Sequence, residues 1–226
     1  MSLQDRLDAF KSNFESGEPP YNVPKAAVAA MHRATEELIA SGQAGHAKAV
    51  GDRAPEFSLP DPDGRVVQSR DLLARGPLVL SFYRGVWCPY CNLEMQALQE
   101  ALAEISQRGA ELVVVSPQTQ ANSRRLARDH GLQFPVLTDA GGAVADAYGL
   151  RFALPDYLVE LYKGSFKVDL ATYNADPAWT LPMPARYVIG TDGIIVYAEV
   201  NPDYTSRPDP SELLPVLDRL RGRVAA

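Results

Sequence analysis

The chain has 226 residues, of which 46% are hydrophobic and 22% charged, and its formal net charge is −6. That length suffices for one sizeable core, or one domain with an extension. The acidic balance argues against a nucleic-acid binder, and no apolar run approaches the roughly 18 residues of a membrane span.

In chain order, residues 1–50 read as an N-terminal helical extension. Leu3, Leu7, Phe10 and Phe14 fall at helical spacing, and Gly17-Glu18-Pro19-Pro20 breaks the run. A second helical pattern, Lys25–Ala40, carries Ala27, Val28, Met31, Leu38 and Ile39 and ends in Ser41-Gly42-Gln43-Ala44-Gly45. Two amphipathic helices must bury their apolar faces, on their own domain or on a second subunit, and a homodimer is the expectation that follows. The start, Met1-Ser2-Leu3-Gln4-Asp5-Arg6-Leu7, has charges where a signal peptide needs an apolar core, so a cytoplasmic location is expected.

Residues 51–226 read as one domain. Pro60-Asp61-Pro62-Asp63-Gly64-Arg65 is a turn between two short strand-like pieces. An apolar segment over residues 77–83 predicts a buried strand, and Met95, Leu98, Leu102 and Ile105 mark the helix after it. Glu111-Leu112-Val113-Val114-Val115-Ser116 is a second buried strand, residues 121–130 a helix, and Phe134-Pro135-Val136-Leu137-Thr138 a short strand whose proline suggests an edge or a strand start. A short helix follows over residues 143–148. Residues 150–181 have weak periodicity, beyond a helical stretch over 155–162, and read as a substrate-side loop or insertion. Two strands joined by Thr191-Asp192-Gly193 form a hairpin, and a last helix starts with Ser211 as its expected N-cap. Alternating strands and helices closed by a hairpin give an α/β class with a mixed central sheet flanked by helices.

The only two cysteines, Cys88 and Cys91, lie in Trp87-Cys88-Pro89-Tyr90-Cys91, where the strand over 77–83 turns into its helix. A helix N-terminus offers unpaired N–H groups and the positive end of a dipole, and both stabilise a thiolate. Pro89 suits the first turn because it has no N–H to leave unpaired. Residues three apart on one turn are close enough to form a disulfide, so the pair can cycle between dithiol and disulfide. Two buried small hydrophobes, half of a zinc site and a static disulfide compete with this reading. The flanking Trp87 and Pro89 argue against the first. His32, His46 and His130 are too scattered to complete the second. A loop this short removes little unfolded-state entropy, which weakens the third.

Other residues stand near the motif in sequence. Arg84 is either a holder of a thiolate or of a ligand oxygen, or a solvent-facing charge at the strand end. Trp87 either shields the sulfur and docks a partner or simply packs. Arg186 reads as an exposed strand residue with a weaker claim on the site. Tyr204 and Arg207, after the last strand, either reach the site or fix the final helix, and the structural role is the favoured reading.

From about residue 51 to 208 the chain resembles the alkyl hydroperoxide reductase/thiol-specific antioxidant family, the peroxiredoxins, within the thioredoxin-like fold. The likeness rests on Gly51-Asp52-Arg53-Ala54-Pro55-Glu56-Phe57-Ser58-Leu59-Pro60, Val114-Val115-Ser116-Pro117, Leu132-Gln133-Phe134-Pro135-Val136-Leu137-Thr138-Asp139 and Val144-Ala145-Asp146-Ala147-Tyr148-Gly149. It implies a thioredoxin-like, peroxiredoxin-type fold. The active site departs from the family's Pro-x-x-x-Thr/Ser-x-x-Cys: Arg84 holds the proline slot, Cys88 the threonine slot and Cys91 the peroxidatic slot. Pro184 holds the slot of a family arginine, with Arg186 two residues later. Pro184 also resembles the cis-proline that faces the Cys-x-x-Cys of thioredoxins, which implies a cis Met183–Pro184 bond.

The resemblance leaves the cysteine roles open. On a thioredoxin reading Cys88 attacks and Cys91 resolves; on a peroxiredoxin reading the roles reverse. Nearness to the helix start and better solvent access favour Cys88. The implied function is a thiol-dependent peroxidase that reduces hydrogen peroxide or organic hydroperoxides without a cofactor, recycled by a dithiol partner such as thioredoxin or glutathione with glutaredoxin. The alternatives are a thiol–disulfide oxidoreductase and a non-enzymatic redox sensor.

Overall fold

The computed structural model describes residues 1–224. Helix α1 (Leu3–Glu15) begins at a capping box: the Ser2 hydroxyl accepts from Asp5 N–H and the Asp5 carboxylate accepts from Ser2 N–H. Helix α2 spans Lys25–Ala40. Strands β1 (Ser58–Pro60) and β2 (Val66–Gln68) form an antiparallel pair around the expected turn, followed by the short helix α3 (Ser69–Leu73).

The alternating core follows as β3 (Leu78–Phe82), α4 (Pro89–Gln107), β4 (Glu111–Ser116), α5 (Gln120–His130), β5 (Val136–Thr138) and α6 (Ala143–Ala147). Next come β6 (Arg151–Ala153), α7 (Asp156–Leu161), α8 (Leu170–Asn174), β7 (Thr180–Pro182), β8 (Ala185–Ile189), β9 (Ile195–Val200) and α9 (Leu213–Val224). The central sheet has the order β5-β4-β3-β8-β9. Strands β3, β4 and β5 run parallel, and β8 is antiparallel to both β3 and β9. Val79, Val114, Val136 and Val188 face α4, α5 and α9 through Met95, Leu98, Leu126, Leu213 and Leu217. Leu78, Leu80, Phe82, Val113, Val115 and Tyr187 pack on the other face against Leu59, Leu72, Ala145 and Tyr148. Period-2 alternation thus feeds two apolar layers, and this is the thioredoxin-like, peroxiredoxin-type arrangement expected.

Several local expectations need correction. Region 150–181 is not a loop. Strands β6 and β7 pair antiparallel as a separate two-stranded sheet, and α7 runs into a wide helical turn, Tyr162–Phe166. Its apolar residues were hidden to a periodicity reading because the segment switches element every few residues. The cap of the final helical segment is Asp209, which accepts from Ser211 N–H at 3.0 Å, so Ser211 lies inside the first turn. The Met183–Pro184 bond is trans; the cis bond among the described residues is Pro19–Pro20. A trans link keeps the chain extended between β7 and β8, where Met183 N–H donates to Leu150 and the Pro184 carbonyl accepts from Asn201.

The apolar faces of α1 and α2 are covered in large part within the same chain, with Ile39 at the end of α2 left 53% exposed. Leu3 and Leu7 are buried in the layer that holds α4. Ala27 and Met31 of α2 pack with Leu154, Leu158 and Tyr162. Among the described residues, no helix is long and apolar enough to cross a membrane.

Candidate active site

Strand β3 is buried along its whole length, and it delivers the chain into a short loop, residues 83–87, ahead of α4. Cys88 is the N-cap of α4 and Pro89 its first residue. The loop is held from two sides. Gln118, after β4, accepts from Val86 N–H at 2.7 Å and donates through Nε2 to the Tyr83 hydroxyl at 2.8 Å. Asn92 donates from Nδ2 to the Val86 carbonyl at 3.0 Å. Gly85 has φ +146°, and a Cβ there would lie 2.5 Å from Trp87 Nε1, so only glycine lets the indole lie against the loop.

The two thiols are free and differ in environment. Burial alone would raise the Cys88 pKa. The Cys91 thiol beside it, the Arg84 charge and the Cys91 N–H outweigh burial and bring it down to about 6. Burial pushes Cys91 up, and its thiol hydrogen, shared toward the Cys88 sulfur, pushes it up further. The Cys91 sulfur also accepts from Arg84 N–H at 3.5 Å. A thiolate on Cys88 flanked by a protonated Cys91 is therefore the favoured state of the reduced pair. The expected solvent access of Cys88 is not met: it is 1% exposed and Cys91 0%.

Arg84 is no strand-end surface charge. It is 2% exposed, donates through Nη2 to the Tyr162 hydroxyl at 2.9 Å, and lies 4.0 Å from the Tyr204 ring centroid and 5.0 Å from that of Trp87. A guanidinium sandwiched by aromatic faces keeps its charge in an apolar surround. Among the described residues its Nε has no partner, and neither does Trp87 Nε1.

Arg186, expected to be exposed, is 1% exposed. Its Nη2 donates to Glu94 at 2.7 Å, and Arg207 Nε donates to the other Glu94 oxygen at 2.9 Å. Glu94 lies on α4 one turn beyond Cys91, so this buried triad ties β8 and the segment after β9 to the helix that carries the cysteines. Arg207, one member of the triad, adds a small contribution to the lowering at Cys88 and opposes the rise at Cys91.

Over Cys88 lies a cavity of about 270 Å³, lined by Phe10, Phe14, Tyr21, Met31, Arg84, Trp87, Cys88, Pro89, Tyr90, Tyr162, Phe166, Val168 and Tyr204. Its walls come from α1, from α4 and from the wide turn after α7. Phe10 stands edge-on to Tyr90 at 5.0 Å, Phe14 meets Phe166 at 5.9 Å, and Tyr162 meets Trp87 at 5.6 Å. Among the described residues, no group of three or more His, Cys, Asp and Glu side chains could hold a metal ion.

Of the residues singled out in sequence, Cys88, Arg84, Trp87 and Pro89 line this cavity, and Cys91 is hydrogen-bonded to Cys88 without lining the cavity. Pro184 borders a neighbouring small space with Arg84 and Tyr204. Arg186 reaches the motif only through Glu94. Sequence reasoning missed Tyr162, Phe166, Gln118 and Glu94, and for Tyr204 and Arg207 it favoured a structural role over reaching the site. Glu94 had a visible signal: it falls three residues after Cys91 and one before Met95, on the apolar stripe of an amphipathic helix.

Known proteins resemble this chain in sequence and in fold. The model of the AhpC/TSA family matches residues 50–198. Thiol-disulfide oxidoreductase ResA of Halalkalibacterium halodurans is 33% identical over 102 residues, which are 45% of this chain and 57% of that protein. A Mycobacterium tuberculosis protein named for the peroxiredoxins is 29% identical over 119 residues, 53% of this chain and 77% of that one. The chain thus spans under two thirds of the ResA protein it matches. Among solved structures, peroxidoxin BcpB from Mycobacterium tuberculosis has a TM-score of 0.59 at 23% identity, covering 75% of this chain and 96% of its own. Peroxiredoxin 6 of Arenicola marina has a TM-score of 0.61 at 20% identity, covering 78% and 75%. At those identities the structures speak to the fold.

Proposed function

The chain belongs to the AhpC/TSA family, and we propose that within it the protein is a thiol-dependent peroxidase acting through Cys88 and Cys91. The observation that supports this most is the placement of Cys88, a low-pKa thiol that lines a partly open cavity beside a buried arginine. A small peroxide fits that space.

In the reaction, the Cys88 thiolate attacks the terminal peroxide oxygen. An S–O bond forms, the O–O bond breaks, and Cys88 becomes a sulfenic acid. The departing alkoxide or hydroxide takes a proton and leaves as alcohol or water. Arg84 supplies a positive charge next to the developing anion. The Cys91 thiol then attacks the sulfenic sulfur, water departs, and a Cys88–Cys91 disulfide remains. Two thiols of a dithiol protein, thioredoxin or glutaredoxin with glutathione, reduce that bond by exchange. We assign the protein to the cytoplasm and retain a homodimer as part of the same reading.

The second reading is thiol–disulfide exchange with protein partners. It is favoured by the N-cap position of Cys88 over a protonated Cys91 and by the likeness to ResA. Stopped-flow Trp fluorescence of the reduced protein mixed with hydrogen peroxide separates the two. The peroxidase reading expects fast oxidation, retained in Cys91→Ser as a trapped sulfenic acid and abolished in Cys88→Ser. Oxidation no faster than that of a free thiol, together with rapid reduction of a protein disulfide, leaves the exchange reading.

A further inference from the structure

Breaking a peroxide O–O bond leaves an anion that must be protonated. Hydroxide and alkoxides are poor leaving groups, and a side chain that hands over a proton speeds such steps by about a hundredfold or more. Tyr162 is placed to do so. It is buried in the wide turn after α7, and it lines the cavity that holds Cys88. Its ring meets Trp87, the residue before Cys88, at 5.6 Å and Phe166 at 6.0 Å, so it is clamped from two sides. Its hydroxyl oxygen accepts from Arg84 Nη2 at 2.9 Å. A hydroxyl that accepts keeps its own hydrogen to give, and among the described residues no acceptor takes that hydrogen. The Arg84 cation at the oxygen also steadies the negative charge that proton loss leaves there. The other tyrosines of the cavity are placed differently. Tyr204 turns its ring face to Arg84, Tyr90 packs on Phe10 and Tyr204, and Tyr21 is 43% exposed.

We propose that Tyr162 is the general acid of the peroxide step: its hydroxyl hydrogen passes to the oxygen that departs when the Cys88 thiolate attacks. This rests on the peroxidase reading and names the proton source which that reading requires. The S–O bond forms at Cys88, the O–O bond breaks, and the departing oxygen leaves as water or alcohol with the Tyr162 proton. The tyrosinate, held by Arg84, then regains a proton from water in the partly open cavity. That proton matches the one the Cys88 thiol released on ionising, so the step balances. Arg84 thereby serves both partners, the thiolate it helps to form and the acid it holds in place.

The test compares three reagents on the reduced full-length protein: hydrogen peroxide, peracetic acid and iodoacetamide. Peracetic acid expels acetate and iodoacetamide expels iodide, and neither leaving group needs a proton at neutral pH. Rates are read by stopped flow and, for iodoacetamide, by mass spectrometry, at a pH where alkylation of Cys88 has levelled off in each variant. In Tyr162→Phe the hydrogen peroxide rate is expected to fall by about a hundredfold relative to both other reagents. Tyr148→Phe removes a hydroxyl bonded to the Pro55 carbonyl on the other face of the sheet and is expected to keep the wild-type ratios. In wild type, deuterium oxide is expected to slow the hydrogen peroxide reaction and to leave that of peracetic acid unchanged, a readout that stands even where the variant fails to fold. Equal losses with all three reagents, no loss with any, or equal wild-type rates of hydrogen peroxide in the two solvents overturn the proton transfer and leave the peroxidase reading standing. Hydrogen peroxide reacting with wild type no faster than with a free thiol overturns both.

Discussion

Glu94 accepts a 2.7 Å hydrogen bond from Arg186, both side chains are about 2% exposed or less, and the pair sits one helical turn beyond Cys91. A buried ion pair of this kind contributes little over a well-packed apolar pair, but breaking it strands a charge. Here the acid holds two arginines, so losing it strands both.

Glu94→Gln keeps the shape and removes the charge. It is expected to cost about 3–5 kcal/mol of unfolding free energy by urea denaturation of the reduced protein. Glu100→Gln, which breaks the exposed pair with Arg6, is expected to change stability by about 0.5 kcal/mol or less. Equal effects in the two variants would contradict the burial argument.

The reactive form of a thiol is the thiolate, so a lowered pKa means reactivity that is full above that pKa and lost as pH falls through it. Alkylation of Cys88 by iodoacetamide, located by mass spectrometry, is expected to rise with a midpoint near pH 6 and then level off. Cys91, pushed the other way, stays unmodified over that range. Arg84→Met removes the second contributor to the lowering and moves the midpoint upward. A wild-type midpoint near about 8.5, that of an ordinary cysteine, would exclude the coupling described.

Gly85→Ala puts a Cβ against the Trp87 indole at a φ that side chains rarely adopt. The expected cost is about 1–3 kcal/mol, with a shift in tryptophan emission because the indole must move. Wild-type stability and emission in this variant would mean that the loop relaxes freely.

Leu7 is fully buried on α1 against the α4 layer. Leu7→Ala is expected to lower unfolding stability by about 2–5 kcal/mol at every protein concentration. A loss that appears only on dilution would instead assign α1 to a subunit interface.

The parts of the fold that were legible in sequence are those that repeat. The alternation of β3, β4 and β5 with their helices is written in runs such as Leu112-Val113-Val114-Val115, and the β8–β9 hairpin in Thr191-Asp192-Gly193. Region 150–181 was not legible because strand, helix and wide turn each last only a few residues there, shorter than any period can show. The motif cysteines were plain from spacing and Pro89. Their cover was not, since Phe10, Tyr162 and Tyr204 are far apart in sequence and meet only when α1 folds back over α4. Arg186, and Arg84 on one of its two readings, read as surface residues because arginines usually are, and Arg207 reads as a support of the last helix. Their burial depends on the rings of Tyr204 and Trp87 in one case and on Glu94 in the others, and these partnerships span up to 120 positions.

The burial of both sulfurs has a kinetic corollary. Cys88 is 1% exposed and Cys91 0%, so on the proposed reading a protein reductant reaches an oxidised Cys88 only after part of its surround opens. Raising the concentration of such a reductant then speeds recovery only until each opening is met by a waiting partner. Beyond that point the rate plateaus at the frequency of the opening itself, and the clock of the cycle becomes a motion of the protein.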